Sequence, residues 1–359
     1  MSWAGGLAPA VSAGWNVANT GAVATGIAHA YGVSLAVVGL FTTGLFVTHA
    51  ALQVPAGRLC DRFGARVVGV AGLLTTALGS ALALAWRDAG FAIGMRALAG
   101  VGTGLSFVAG SDYVRSKIGT TVAQGVFGAA SMGAGGVALA VIPQFGSWRA
   151  PFLSAAVVGL AGAAMLATAP REPRRPARAT VLPRLADPRL RRLAAMHSAS
   201  FGLSVVIGNW VVTLLERDGH DSRTVAGVAG ALVLLLGIVT RPLGGTDFGR
   251  KLLRASFLAG GAATAVLAVA HPLPLAFAAA AAVGLSAGIP FAIAFTSAQR
   301  AMPEAPAAAV GFVNMAGALT ILVCTPLLGL TFSLPGDGRI GFGVVACAWA
   351  LTVFSVGRR

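Results

Sequence analysis

Apolar stretches long enough to cross a bilayer recur along almost the whole chain, and charge is confined to the gaps between them. A helix needs about 20 residues to span the hydrocarbon core. The 359 residues hold twelve such helices only where loops are short and no soluble domain intervenes. The stretches fall at 9–31, 37–59, 67–86, 91–114, 123–145 and 150–169, then at 193–215, 225–243, 252–270, 273–298, 307–332 and 341–356. They are continuous rather than alternating with a period of two, which selects helices over the strands of a membrane barrel. Composition closes off the other classes: 56% of residues are apolar and only 10% charged, too few charges to cover a soluble enzyme and too few polar residues for a disordered chain. The expected fold is an all-α integral membrane protein of twelve transmembrane helices in two six-helix bundles.

Lys and Arg divide unevenly between alternate loops. One set holds Arg58, Arg62 and Arg66, Arg115 and Lys117, eight Arg from Arg171 to Arg192, Arg241, Arg250, Lys251, Arg254, Arg300, Arg358 and Arg359. The other holds Arg87, Arg149, Arg217, Arg223 and Arg339, and Arg96 falls within span 4. The positive-inside rule then predicts a multi-pass protein of the plasma (inner) membrane with both termini cytoplasmic. The net charge of +15 is juxtamembrane Arg without a basic face interleaved with aromatics, so no nucleic-acid partner is expected. Segment 170–192 reads as a cytoplasmic basic linker suited to an anionic lipid surface. It separates an N-terminal six-helix bundle (1–169) from a C-terminal one (193–359). Cys60, Cys324 and Cys347 show no ligand spacing, so neither a metal site nor a disulfide is expected. The first stretch has no basic segment before it and is expected to remain as a helix.

The halves carry a weak repeat. Gly100 and Gly284, Gly104 and Gly288, and Gly133 and Gly317 are each 184 residues apart, while Asp61 and Asp247 are 186 apart. A near-constant offset at several places argues for two parallel repeats. The loop GRLCDRFGAR at 57–66 places Gly57 and Gly64 for a tight turn and close helix approach, with Asp61 at a helix end where a macrodipole favours an anion. Arg62 and Arg66 are placed to pair with an acid, for which Asp112 is the candidate.

This loop resembles the signature loop of the major facilitator superfamily, as do RALAGVG at 96–102, WRAPF at 148–152 and RPLGG at 241–245. The resemblance implies that Gly57, Asp61, Arg62, Gly64, Arg66 and Asp112 form a conformational latch closing the cytoplasmic side. The other reading is that these charges only set topology. The second signature loop is truncated, and span 5 lacks the Pro expected of drug/proton antiporters. The RPLGG run also resembles nitrate/nitrite-type and other anion porters. Those carry an Arg four residues before the signature Gly, where this chain has Gln53, which argues against nitrate.

Ionisable groups inside a bilayer are costly and point to function. Arg96 shares a face with Gly100 and Gly104, Arg241 sits near the inner end of span 8, and His49 lies mid-span on one face with Thr42 and Gln53. Asn16, Asn19 and Thr20 in span 1, Asn209 in span 7 and Asn314 in span 11 complete the substrate and cavity candidates. Snorkelling of the arginines and simple helix packing of His49 stand as the plainer alternatives. The function expected is secondary active transport of a small solute by alternating access, with an organic or inorganic anion kept open by Arg96 and Arg241. The alternative is a proton-coupled exporter of drug-like or amphiphilic compounds. No paired carboxylates, metal spacing, nucleophile elbow or nucleotide loop appears, so neither an enzyme nor a cofactor is expected. The partners expected are the substrate, the bilayer and, where transport is proton-coupled, a proton carried on His49. The chain is expected to act as a monomer.

Overall fold

The computed structural model describes residues 4–172, 187–217, 223–269, 272–332 and 334–357. Among these every regular element is helical. In chain order they are α1 (Ala4–Ala18), α2 (Ala24–Tyr31), α3 (Leu35–Phe63), α4 (Ala65–Leu82), α5 (Ala89–Lys117), α6 (Thr121–Val141) and α7 (Ala150–Thr168), then α8 (Pro188–His197), α9 (Ser204–Arg217), α10 (Arg223–Leu235), α11 (Gly237–Leu243), α12 (Asp247–Leu267), α13 (Leu273–Ala301), α14 (Pro306–Thr331) and α15 (Arg339–Leu351). Nine helical rods among the described residues are long and apolar enough to cross a membrane. The other three expected spans are α1 with α2, α12 with its charge-bearing start, and the shorter α15.

The expected spans are all present, and three differ in a way that bears on function. Span 1 starts earlier, at Ala4, and breaks into a 3-10 turn at Gly21–Val23. Span 7 begins at Pro188 rather than 193, so the end of the segment read as a linker is helix. Asp187 caps it, its carboxylate accepting from the Arg189 amide at 2.7 Å, and Pro188 suits the first helical turn. Residues 173–186 of the linker lie outside the described residues. Span 7 also passes through a π-helical turn at Ser198–Leu203, directly after His197. Span 8 is interrupted between α10 and α11 at Leu236. Such interruptions survive in a membrane only where neighbouring helices satisfy the freed backbone groups.

Apolar side chains turn outward on α4, α7, α12 and α15, where Leu78, Val157, Leu160, Leu258, Val344 and Leu351 are all exposed. A soluble protein would not leave so much apolar surface bare; here it is the surface that meets lipid. Inside, small residues set the spacing, as expected where packing rather than water drives helix association. Gly57 of α3 lies against the backbone of Ala307 and Ala308 in α14, and Gly311 of α14 lies against the Gln53 carbonyl of α3, so a Cβ at either position would overlap main chain. These contacts, and the packing of α6 along α10 and α11, join the two halves. Cys60 is buried in the last turn of α3.

Candidate functional site

Buried polar side chains gather in three groups between the helices. The first surrounds Arg96, wholly buried in α5. Because α1 stops at Ala18, its last carbonyls lack intrahelical donors and carry the negative end of the helix dipole. Arg96 fills that need. Nη2 donates to the Asn16 carbonyl at 2.9 Å, Nη1 to Asn16 Oδ1 at 2.8 Å, and Nε to the Phe41 carbonyl at 3.4 Å. Asn16 is itself oriented by donating to the Ser12 carbonyl at 3.0 Å. Asn19 ties α1 to α7 through the Pro151 carbonyl at 3.0 Å, while its Oδ1 has no partner. Thr20 meets Thr42 at 3.4 Å. Sequence reading named Arg96, Asn16, Asn19 and Thr20 as cavity candidates; the structure sets them together and engages the guanidinium fork at the break in the first span.

The second group bridges the halves. The Thr103 hydroxyl donates to the Gly100 carbonyl at 3.1 Å and therefore accepts from His49 Nδ1–H at 2.9 Å. His49 Nε2 is left as an acceptor and faces Asn314 Nδ2 at 3.4 Å. The same amide donates to Gln53 Oε1 at 2.9 Å, and Gln53 donates back to the His49 carbonyl at 3.0 Å. Asn314 Oδ1 then accepts from His197 Nε2–H at 3.0 Å, which leaves His197 Nδ1 bare and buried. A single amide on α14 thus reads one histidine of each half, and the proton positions follow from counting donors. His197 escaped the sequence reading. Its signal was there, an ionisable side chain within an apolar span, but with the span started at 193 it fell near the interface. The true start at Pro188 carries it into the interior, beside Phe201, Phe291 and Phe295.

The third group is Arg241 on α11, also fully buried. Nη1 donates to the Gly128 carbonyl of α6 at 2.9 Å, and the guanidinium lies 4.2 Å from the Phe291 ring centroid. Nε and Nη2 have no partner, and among the described residues no carboxylate is paired with it. Asn209 on α9 is half-buried and joins none of the three groups by a hydrogen bond.

At the signature loop, Gly64 has φ +91°, a value that side chains rarely adopt, and a Cβ there would also meet Glu172 at 2.6 Å. Asp61 lies half-buried in the last turn of α3, and Arg62 sits 5.0 Å from the Phe63 ring. Arg66 donates from Nη1 to the Ala169 carbonyl at 2.8 Å, and its amide donates to Glu172 Oε1 at 3.0 Å. Glu172 thus meets the main-chain amide of Arg66, while the Arg66 guanidinium is held by the Ala169 carbonyl. Asp112 is buried and ion-paired with Arg115 at 2.9 Å, one turn along α5. No group of His, Cys, Asp or Glu suited to a metal occurs among the described residues.

Two packed sets of broken and glycine-rich helices, closed on each other around buried polar groups, define a membrane transporter. The chain belongs to the Major Facilitator Superfamily, whose family model matches residues 10–356. Among solved structures it is similar to the human organic anion transporter MFSD10 (TETRAN), with TM-score 0.75, 14% identity, and coverage of 99% of this chain and 98% of that one. It is also similar to the E. coli fucose:proton symporter FucP, with TM-score 0.72, 13% identity and the same coverage. At such identity these likenesses establish the twelve-helix fold. No curated protein matches the sequence.

Proposed function

We propose that this transporter carries a small anion by rocking two six-helix bundles, residues 1–169 and 193–359, about a central site. The observation that carries this reading is Arg241. Burying a charge without a counter-ion in hydrocarbon costs several kcal/mol, and each orphaned buried donor costs about 1–3 kcal/mol more. A site built this way is completed by an anionic ligand that takes Nε and Nη2 together, the planar pairing for which Arg is suited and Lys is not. Arg241 also donates to Gly128 in the other half, so parting of α6 and α11 would release a further donor toward the substrate.

His49 and His197 are the groups placed for proton coupling, because each keeps one ring nitrogen with a lone pair that can take a proton. The plasma membrane and cytoplasmic termini follow from the arginine asymmetry. The aromatic cluster of Phe107, Phe127, Phe291 and Phe295 supports a second reading, export of amphiphilic compounds. Proteoliposomes loaded with a panel of small organic and inorganic anions separate the two. Anion-dependent current abolished in Arg241→Gln supports the first. Current that is absent for every anion, together with efflux of hydrophobic dyes in the parent, would sink it.

A further inference from the structure

A cavity of about 450 Å³ opens at the arginine-rich face of the second half, between α8, α12, α13 and the 3-10 turn that follows α15. Arg189, Arg192 and Arg300 line it with Ser297, while Leu253 and Ile293 form part of an apolar wall. All three arginines are exposed at its rim. Among the described residues no carboxylate is ion-paired with any of them. The first half shows why the space exists. The 184-residue offset that relates Gly100 to Gly284 carries Tyr113 to Ser297. Tyr113 fills the matching place with its ring and donates to the Pro170 carbonyl at 2.6 Å. Beside it, Arg66 is held by Ala169 and Glu172. In the second half the ring is missing, and among the described residues no acid is ion-paired with these cations.

We propose that this cavity binds a phosphate group. Three guanidiniums and the Ser297 hydroxyl present convergent donors, and planar guanidinium forks match phosphate oxygens. The apolar wall, at the level where a membrane protein meets headgroups, suits the phosphate of an anionic phospholipid; a soluble phosphate ester offers the same recognised group. The site is separate from Arg241 and does not depend on what is transported.

The test uses the full-length protein in nanodiscs of phosphatidylglycerol or of phosphatidylcholine, with retained lipid counted by native mass spectrometry after extraction into detergent. In parallel, inorganic phosphate is titrated in a thermal-shift assay in detergent. Phosphatidylglycerol should be retained preferentially, and retention should fall on the order of thirtyfold in the Arg192→Gln/Arg300→Gln double variant, since each of the two basic residues contributes about one kcal/mol toward anionic lipid. Ser297→Tyr, which rebuilds the plug of the first half, should lower retention similarly. The exposed arginine pair keeps the test valid should the tyrosine variant fold poorly. Stabilisation by inorganic phosphate that is lost in the double variant, without lipid preference, assigns the site to a soluble phosphate ester. Lipid retention and phosphate response both unchanged in the double variant overturn the proposal.

Discussion

The two halves share a plan but treat charge differently. In the first half, every nitrogen of the Arg96 guanidinium donates to the end of α1 or the start of α3, and Arg66 and Tyr113 lock the far face to the end of α7. In the second half, Arg241 has two nitrogens without partners. The matching signature loop offers only Asp247 to Arg250 at 3.8 Å within α12 itself, and Ser297 leaves a cavity where Tyr113 makes a plug. One half is therefore a satisfied frame, while the other holds cations that ligands can engage. Marginal stability sharpens the contrast. With about 5–15 kcal/mol separating folded from unfolded protein, the frame is where loss of a charge should unfold the molecule, and the second half is where it should silence it.

The largest effects should fall on the two buried arginines and in opposite readouts. Arg96→Leu orphans the Asn16 carbonyl and the Asn16 side-chain oxygen, at about 1–3 kcal/mol for each buried group. Detergent-extracted yield and Tm should collapse. Arg241→Gln loses one hydrogen bond and the contact with Phe291, so Tm should drop modestly while anion transport falls at least about 100-fold, as on truncating one partner of a buried charged pair. Equal loss of Tm in both variants would erase the distinction between frame and site.

Next in size is the histidine bridge. Protonation of His49 at Nε2 would set a donor against the Asn314 amide, and turning that amide over would set its NH2 against His197 Nε2–H, forcing the second ring to change tautomer. The two histidines are thus coupled through Asn314, and each half reports its protonation to the other. In proteoliposomes, His49→Gln and His197→Gln should each keep exchange at equal pH and lose accumulation driven by a pH gradient. Asn314→Leu should lose that accumulation as well. Gradient-driven accumulation persisting in both histidine variants would remove them from the coupling pathway. Gly57→Ala should act more gently. Its Cβ would press on the Ala308 backbone at an overpacking cost of about 1–3 kcal/mol, borne only in the conformer where α3 and α14 touch. Cysteine accessibility at the arginine-rich face should rise, with little change in expression.

Much of the fold was legible because hydrophobic length and loop charge are local properties. The twelve spans, the signature glycines and the burial of Arg96, His49, Gln53 and Asn314 all follow from patterns within single helices. What could not be read were relations between helices. The break in the first span depends on Arg96 waiting to receive its carbonyls, and neither Asn16 nor Arg96 alone implies it. His197 was hidden by a boundary, since Arg189, Arg191 and Arg192 make the first turns of α8 look like loop although they are helix. The contact between Glu172 and the Arg66 amide could not be read, because sequence offers no distance from the end of α7 to the start of α4. The cavity is a negative feature, visible only when Ser297 is set beside Tyr113.

The smallest effect should come from editing that last pair. Tyr113→Phe keeps the ring in place and removes the hydroxyl that donates to the Pro170 carbonyl. A hydrogen bond of this kind is worth about 1 kcal/mol net, and the Pro170 oxygen lies near the face where water can replace the lost donor. Tm should fall slightly and transport should be unchanged. Tyr113→Ser removes the ring as well and should cost about 3 kcal/mol, within the range for emptying an aromatic site in a packed interior. Because Arg66 and Glu172 remain beside the new space, the opened first half should retain no extra phosphatidylglycerol. Gain of anionic lipid in Tyr113→Ser would mean that the absence of a ring is enough to make the site, and that uncompensated charge is not what separates the two halves at this face.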